Sequence, residues 1–202
     1  MKRQKGITII EMLVASTAGI MAISLVGSLY ISVQNHASDR SQLLLLNQAL
    51  ATTARRIQND MIRAGYNGKE SNSWVPFGAS TTIYVSQSGA VAQYAYRDDR
   101  GEAPIENVVW QFSEEVGKLS ICRAKTSIST GTKATSFSNS SGCTSIFEPN
   151  LIKVNNFSLA TNTVGSHSAT HQYVILTIDA ELRGNPSVFS SLTRQFMVRN
   201  GQ

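Results

Sequence analysis

The sequence contains few of the residues on which enzymes and metal sites depend. Its 202 residues include three histidines, two cysteines and four prolines, and only 15% are charged. There is no G-x-S-x-G elbow, Walker loop or H-E-x-x-H pair. His167 and His171 are four residues apart, but they lie in a Ser/Thr-rich stretch without a third ligand nearby. We therefore expect no enzymatic activity, no metal and no cofactor.

Acidic residues cluster at one point, where Asp98, Asp99 and Glu102 surround Gly101. Their spacing does not fit an EF-hand loop, whose ligands alternate over twelve residues. A solvated hairpin turn is the better interpretation, with weak calcium binding as the alternative to test.

The two cysteines, Cys122 and Cys143, form an isolated pair. In an oxidising compartment such a pair predicts one disulfide, and two reduced buried thiols are the alternative. The bond would close a loop of about 20 residues and stabilise the fold by about 3 kcal/mol in the chain-entropy estimate.

Positive charge is concentrated at the N-terminus. The net charge is +5, and Lys2, Arg3 and Lys5 supply three of these charges. The rest of the chain is nearly neutral and lacks the interleaved basic and aromatic residues typical of nucleic-acid binding. Binding of DNA, a surface or a receptor is therefore an unsupported alternative.

No residue from Met12 to Ser38 carries a formal charge, and Met12 to Val33 supplies 22 largely apolar positions. A helix needs about 20 such residues to cross a bilayer core. Because basic residues remain on the cytoplasmic side, we expect the N-terminus inside and the rest of the chain outside.

Glu11 interrupts this apolar stretch, where an unpaired carboxylate costs on the order of 3 kcal/mol. A basic leader, Gly6, an apolar residue, Glu11 and a long apolar helix together resemble the class III signal of type IV pilins and type II secretion pseudopilins. Two features depart from the family pattern: Ile7 stands where phenylalanine is usual, and the span has no central proline.

The resemblance implies that prepilin peptidase cuts between Gly6 and Ile7 and methylates the new amine of Ile7. It further implies that Glu11 pairs with the terminal amine of a neighbouring subunit during filament assembly. Either charge alone would be costly in lipid. The alternative is a simple anchor in which Glu11 reaches the headgroups.

The helix is predicted to continue beyond the apolar span, because no proline occurs before Pro76. Apolar residues recur at spacings of three and four, and Gly65 is the expected C-cap. The predicted stripe comprises Leu43, Leu46, Leu50, Thr53, Ile57, Met61 and Ala64. Asp60 to Tyr66, an acidic-apolar-Arg run closing with Ala-Gly-Tyr, resembles PilW-type minor pilins and, more loosely, J-type pseudopilins.

Alternating apolar residues after Ser71 predict short strands, and Ser, Thr, Gly or Asn occupy 15 of the 20 positions in 126–145, which predicts a loop. The strands are expected at 83–85, 91–96, 108–112, 119–122, 151–159, 173–182 and 189–198, with a turn at 183–186. We therefore expect an α+β fold, a long N-terminal helix packed on an antiparallel sheet.

The expected organisation is a leader at 1–6, a transmembrane or filament-core helix at 7–38, an amphipathic helix and turn at 39–68, and a β-rich head at 69–202. The resemblance implies a minor pilin that co-assembles into or primes a type IV pilus, with a J-type pseudopilin as the alternative. Expected partners are prepilin peptidase, other minor and major pilins, and inner-membrane lipid before assembly. The head would be periplasmic until the subunit enters a filament at the cell surface.

Overall fold

A computed structural model describes residues 8–68, 73–76, 79–98, 105–126, 143–166 and 169–199. Gly6 and Ile7, the predicted cleavage site, lie outside these residues. The chain divides into two compact units between Gln42 and Leu43. The first is helical where it is described, and the second, Leu43–Gln202, is an α+β unit that we call the head from here on, including its part of the helix.

A single helix, α1, spans Ile9–Met61 and crosses from the first unit into the second. The sequence predicted that it would reach Ala64, but it ends three residues earlier. The chain then tightens into a turn in which the amide of Arg63 donates to the Asp60 carbonyl at 3.1 Å. Gly65, with φ at +78°, occupies the left-handed conformation expected of a C-cap.

Five antiparallel strands form the first sheet in chain order. They are β1 (Ile83–Val85), β2 (Val91–Arg97), β3 (Ile105–Ser113), β4 (Lys118–Thr126) and β5 (Cys143–Ser145). The prediction of a loop over the whole of 126–145 is wrong at both ends: Thr126 belongs to β4, and β5 pairs with β4 through Cys122 and Cys143.

A second antiparallel sheet contains β6 (Ile152–Ser166), β7 (Ala169–Leu182) and β8 (Asn185–Met197) in chain order. The alternation predicted for β7 is confirmed, because Val174, Leu176 and Ile178 are fully buried. Strands β6 and β7 extend beyond their predicted limits. The expected turn after Leu182 is present, and it brings β8 back antiparallel to β7.

Backbone and side-chain hydrogen bonds join the two sheets. The amides of Leu159 and Val154 on β6 donate to the carbonyls of Gly89 and Gly117, each at 3.0 Å. The buried side chain of Gln172 accepts from the Ile83 amide at 3.1 Å and donates to the Ile83 carbonyl at 2.8 Å. Gln172 thus bonds to β1 as a neighbouring strand would.

The core lies between the second half of α1 and the inner faces of both sheets. From the helix it takes fully buried Leu46, Leu50, Ile57 and Met61, each contributing about 2 kcal/mol by leaving water. Leu43, predicted to belong to this stripe, is 38% exposed. The antiparallel α+β fold is therefore confirmed, with two sheets in the head.

Candidate processing and assembly site

The helix begins with a cap that places Glu11 in its first turn. Thr8 precedes α1, and its Oγ1 accepts a hydrogen bond from the Glu11 amide at 3.4 Å. This is the arrangement of an N-cap residue, which satisfies one of the amides left free at a helix start. The Glu11 carboxylate therefore lies at the end of the helix where the backbone dipole favours negative charge.

The surface that follows Glu11 is apolar and exposed on all sides. An 18-residue window of α1 has a mean hydropathy of 2.1, and none of it is buried within the chain. The helix is thus long and apolar enough to cross a membrane, as judged by length and composition. This finding is compatible with a single-pass anchor. Large exposed side chains include Ile9, Ile10, Met12, Ile20, Met21, Ile23, Leu25, Val26, Leu29, Tyr30, Ile31 and Val33.

Hydroxyl groups in this part of the helix are satisfied by the helix itself. Ser16, Thr17, Ser24 and Ser28 donate to backbone carbonyls three or four residues earlier, at 2.8–2.9 Å. A polar group without a partner is costly in hydrocarbon, and these internal bonds avoid that cost. The hydroxyls are therefore compatible with an apolar environment.

Asp60 begins the Asp60–Tyr66 segment, and it faces the core. Asp60 lies within one helical turn of Arg55 and Arg56, a spacing that predicts a solvated face on which Asp60 offsets their charge, and this prediction is wrong. Asp60 is only 8% exposed, whereas both arginines are exposed. Its carboxylate accepts hydrogen bonds from Tyr94 and Tyr96, at 3.4 Å for Tyr96, and pairs with Arg123 at 3.0 Å.

A wider network surrounds this carboxylate. Trp110 Nε1 donates to the Tyr94 hydroxyl at 3.0 Å, and Arg123 Nη1 donates to Glu106 Oε1 at 2.5 Å. The register explains the convergence, because Tyr94, Val108 and Arg123 are direct neighbours across β2, β3 and β4. Buried charge is tolerated here because each group has partners of opposite charge or matching polarity.

The network shifts the pKa values of its members. Burial, reinforced by the Asp60 charge, raises the pKa of Tyr94 well above 10.0 and that of Tyr96 to about 12. Burial lowers the pKa of Arg123, but the attraction of Asp60 and Glu106 outweighs it, so the net shift is upward. At neutral pH the tyrosines are hydrogen-bond donors and Arg123 is a cation.

The Ala64-Gly65-Tyr66 signature fastens the end of α1 to the first sheet. The Gly65 amide donates to the Ala95 carbonyl at 2.9 Å, and the Arg97 amide donates to the Tyr66 carbonyl at 2.7 Å. The Arg63 guanidinium lies 4.1 Å from the centre of the Tyr96 ring, a cation–π contact. The segment that carries the PilW resemblance therefore connects the end of the helix to strand β2.

The structure contains the disulfide between Cys122 and Cys143. These residues face each other across β4 and β5, and the Cys122 side chain is almost fully buried. The bond ties the short strand β5 to the sheet. It lies in the head unit, whereas Glu11 lies in the helical unit.

The acidic and histidine positions noted in the sequence do not form a site in the described residues. Asp98 is buried and paired with Lys125 at 3.5 Å, so the expectation of a solvated residue there is wrong. His171 is exposed on β7. Asp99, Glu102 and His167 lie outside the described residues. Where the chain is described, no group of three or more His, Cys, Asp or Glu side chains could hold a metal ion.

A long apolar helix with a capped, acidic first turn, followed by an antiparallel β-sheet domain, defines a pilin-type protein. In a comparison with models of protein families, residues 39–198 match the family described as prepilin peptidase-dependent protein B. The chain belongs to this family. No curated protein and no solved structure matches it significantly.

Proposed function

We propose that this chain is a minor pilin, a structural subunit that co-assembles into or primes a type IV pilus filament. Membership of a prepilin peptidase-dependent family supports the coarse assignment. The observation that carries a role in filament assembly is Glu11, a carboxylate in the first turn of an otherwise apolar exposed helix. A membrane anchor alone has no use for that charge.

The proposed sequence begins in the inner membrane. Prepilin peptidase removes residues 1–6 and the amine of Ile7 is methylated, while the head folds in the periplasm. Four residues separate Ile7 from Glu11 in the sequence, about the number in one helical turn. Pairing Glu11 with the amine of a neighbouring subunit would remove two isolated charges from an apolar filament core.

A structural role, with no catalysis, is part of the proposal. The buried carboxylate of Asp60 is engaged by Tyr94 and Arg123 and is not free to act on a substrate. The Ala64-Gly65-Tyr66 segment favours a PilW-like pilus subunit over a J-type pseudopilin of type II secretion. Identifying the filament with which the chain co-purifies distinguishes these two assignments.

The decisive substitution is Glu11→Ala. The variant should be cleaved and inserted normally, because removing a charge from lipid does not weaken an anchor. Its recovery in sheared filaments should fall at least about tenfold, since an amine is left buried without its carboxylate.

The measurement is the amount of subunit in the sheared fraction at equal membrane abundance. Glu148→Ala is the matched control, because Glu148 is an exposed acid in the head and its loss should leave recovery unchanged. Equal incorporation of Glu11→Ala and wild type would refute the assembly role and favour a simple anchor.

A further inference from the structure

Strand β8 is an open edge of the second sheet in the part of the chain that the structure describes. The sheet is ordered β6-β7-β8, so β8 has a neighbouring strand on one side. The opposite edge, β6, is bonded to the first sheet through Gly89 and Gly117, and the edge of the first sheet at β1 is bonded to Gln172. An edge strand without such cover presents unpaired amides and carbonyls to any extended chain.

The register shows which residues of β8 have outward backbone groups. The Val198 amide donates to the Gln172 carbonyl at 2.9 Å, so these two residues form a hydrogen-bonded pair. In an antiparallel ladder such pairs occur at every second residue, and the residues between them direct their amides and carbonyls away from the partner strand. Among the described residues, these outward amides have no backbone partner outside the sheet. The outward residues of β8 all have exposed side chains, and they are Phe189, Ser191, Thr193, Gln195 and Met197.

The sequence of β8 does little to protect this edge. Natural edge strands carry lysine, proline or inward-facing charges that prevent pairing with another chain. Pro186 lies near the start of β8, but the ten residues 188–197 contain no proline, glycine, lysine or acid. Their single charge, Arg194, is bonded to Gln58 on α1 at 3.1 Å. A stretch that is rich in β-forming residues and nearly uncharged pairs readily with another strand.

The helix lies along β8 and forms a wall beside the open edge. Ser190 is hydrogen-bonded to Asn47, and Arg194 to Gln58, so α1 and β8 run in the same direction. Successive helix residues are about 100° apart, which identifies the residues next to Asn47 and Gln58 on the side away from the core. They are exposed Leu44 and Arg55 and half-buried Ala51 and Ile62, which we call the helix flank.

We propose that β8 binds an extended segment of a different subunit of the filament as an additional, antiparallel strand. The inference rests on the proposed function, which brings other subunits beside the head. Pairing from Phe189 to Met197 takes a partner segment of about nine residues. Leu192, on the inner face of β8, is only partly buried, so the segment places apolar side chains at alternate positions over Leu192 and the helix flank. Because Arg55 and Arg194 are cationic, the segment is neutral or acidic.

A second copy of the chain does not fit this edge. Copies anchored in one membrane have their α1 helices running in the same direction, and β8 follows α1. Two β8 edges could then meet only as a parallel pair, which is less stable than an antiparallel one. A segment that runs opposite to β8 meets the requirement, so the occupant is a different subunit.

Hydrogen exchange tests the pairing. The five outward amides of β8 are measured in the purified, detergent-solubilised chain and in sheared filaments that contain it. We expect fast exchange in the purified chain and exchange at least about tenfold slower in filaments, because a hydrogen-bonded amide must open before it exchanges. The amide of Leu176 is the control, because it lies on the central strand β7 and should exchange slowly in both states.

Thr193→Pro tests the mode of contact. The Thr193 amide faces away from β7, so proline removes no bond of the existing ladder and is tolerated at such an edge position. Its ring obstructs an added strand, so exchange at Ser191 and Gln195 in filaments should return to the rate of the purified chain. Thr193→Ala, the matched control, should keep slow exchange, and thermal unfolding checks that both variants are folded. Loss of Thr193→Pro from filaments that accept Thr193→Ala would equally support the added strand.

The other outcomes overturn the proposal. Fast exchange of the five amides in filaments that contain the chain excludes the added strand and leaves the proposed function standing. Slow exchange already in the purified chain means that the chain itself covers the edge, or a second copy does so where the protection depends on concentration. Slow exchange that persists in Thr193→Pro filaments shows a cover other than a paired strand. Absence of the wild-type chain from filaments overturns the proposed function, and the added strand with it.

Discussion

At the scale of single residues, Asp60 has the greatest structural consequence. It places a carboxylate on the buried face of α1, where an unpaired charge would cost several kcal/mol. Tyr94, Tyr96 and Arg123 converge on it from two strands of the first sheet. The contact therefore fixes which turn of the helix faces which strands, a specificity that apolar packing alone would not supply.

Arg123→Met should destabilise the head by about 2–3 kcal/mol, because it leaves Asp60 and Glu106 buried without their cation. This expected loss is low for a broken buried ion pair, because Arg123 is 36% exposed and solvent partly screens its charge. Urea unfolding of the detergent-solubilised protein measures the change. Arg56→Met, at an exposed position, should stay within about 0.5 kcal/mol of wild type. Equal effects of the two substitutions would show that the network contributes nothing.

Tyr96 should make stability depend on pH in the alkaline range. Its folded pKa, about 12, exceeds the ordinary value of 10.0. Between these values the unfolded chain has lost a proton that the folded chain retains, so stability falls as pH rises. The contribution of Tyr96 is complete below pH 10.0 and lost by about 12.

The measurement is the stability difference between wild type and Tyr96→Phe across this range, which should shrink with rising pH by about 1.4 kcal/mol per unit. Thr177→Val removes a hydroxyl that does not titrate, and its difference should stay constant. A constant difference for Tyr96→Phe would refute the raised pKa.

Part of this network could be predicted from the sequence. Asp60 lies three residues after Ile57 and directly before Met61, which places it in the apolar stripe. That position signals a buried acid, whereas proximity to Arg55 and Arg56 along the helix predicts a solvated one. Its partners could not be found in this way, because Tyr94 and Arg123 become neighbours only through the register of β2, β3 and β4.

At the scale of helices and strands, a strong alternation of apolar and polar residues was sufficient to locate a strand from the sequence, and a weak alternation was not. Strand β7 has a clean alternation over Val174 to Leu182, and this alternation was predicted correctly although the strand begins four residues earlier than expected. Strand β5 consists of Cys143, Thr144 and Ser145 at the end of a polar stretch, with nothing in its composition to set it apart. Its pairing depends on β4, a long-range contact that local patterns do not contain.

Gly117→Ala should destabilise the turn between β3 and β4 by about 1–3 kcal/mol. Gly117 has φ at +66°, and an added Cβ would lie 2.6 Å from Lys153 Cγ and 3.1 Å from the Val154 carbonyl oxygen. Gly184→Ala is the matched control, because a Cβ there meets nothing within 4 Å. Thermal unfolding of both variants compares the two sites. A loss as large at Gly184 would mean that Gly117 has no special requirement.

At the scale of the whole molecule, the sequence predicted a helix on an antiparallel sheet but not the division into two sheets. The division is held by contacts between residues far apart in the chain, such as Gln172 with Ile83. Glutamine is usually exposed, so its burial at this position has no signal in a single sequence. The apolar helix, by contrast, needed only composition and length to be recognised.

Cleavage and methylation of the N-terminus change the mass of the whole chain, so mass spectrometry can test them directly. Intact-mass measurement should find a protein that starts at N-methylated Ile7, because Gly6 is the only small residue between the basic leader and the span. Gly6→Leu should leave the full-length form in the membrane. Gly19→Leu, within the span, should still be cleaved. Retention of Met1 in the wild-type protein would refute this prediction.

The order of segments in the chain determines when the head can close. The helix that supplies Leu46, Leu50 and Ile57 to the core is made first, whereas β8, which contacts α1 through Ser190 and Arg194, is made last. In the exported protein proposed above, the head therefore cannot finish folding until nearly all of the chain has crossed the membrane. Folding of the head is therefore completed only after translocation of β8. A subunit whose translocation stops before β8 would remain partly unfolded and accessible to quality-control proteases.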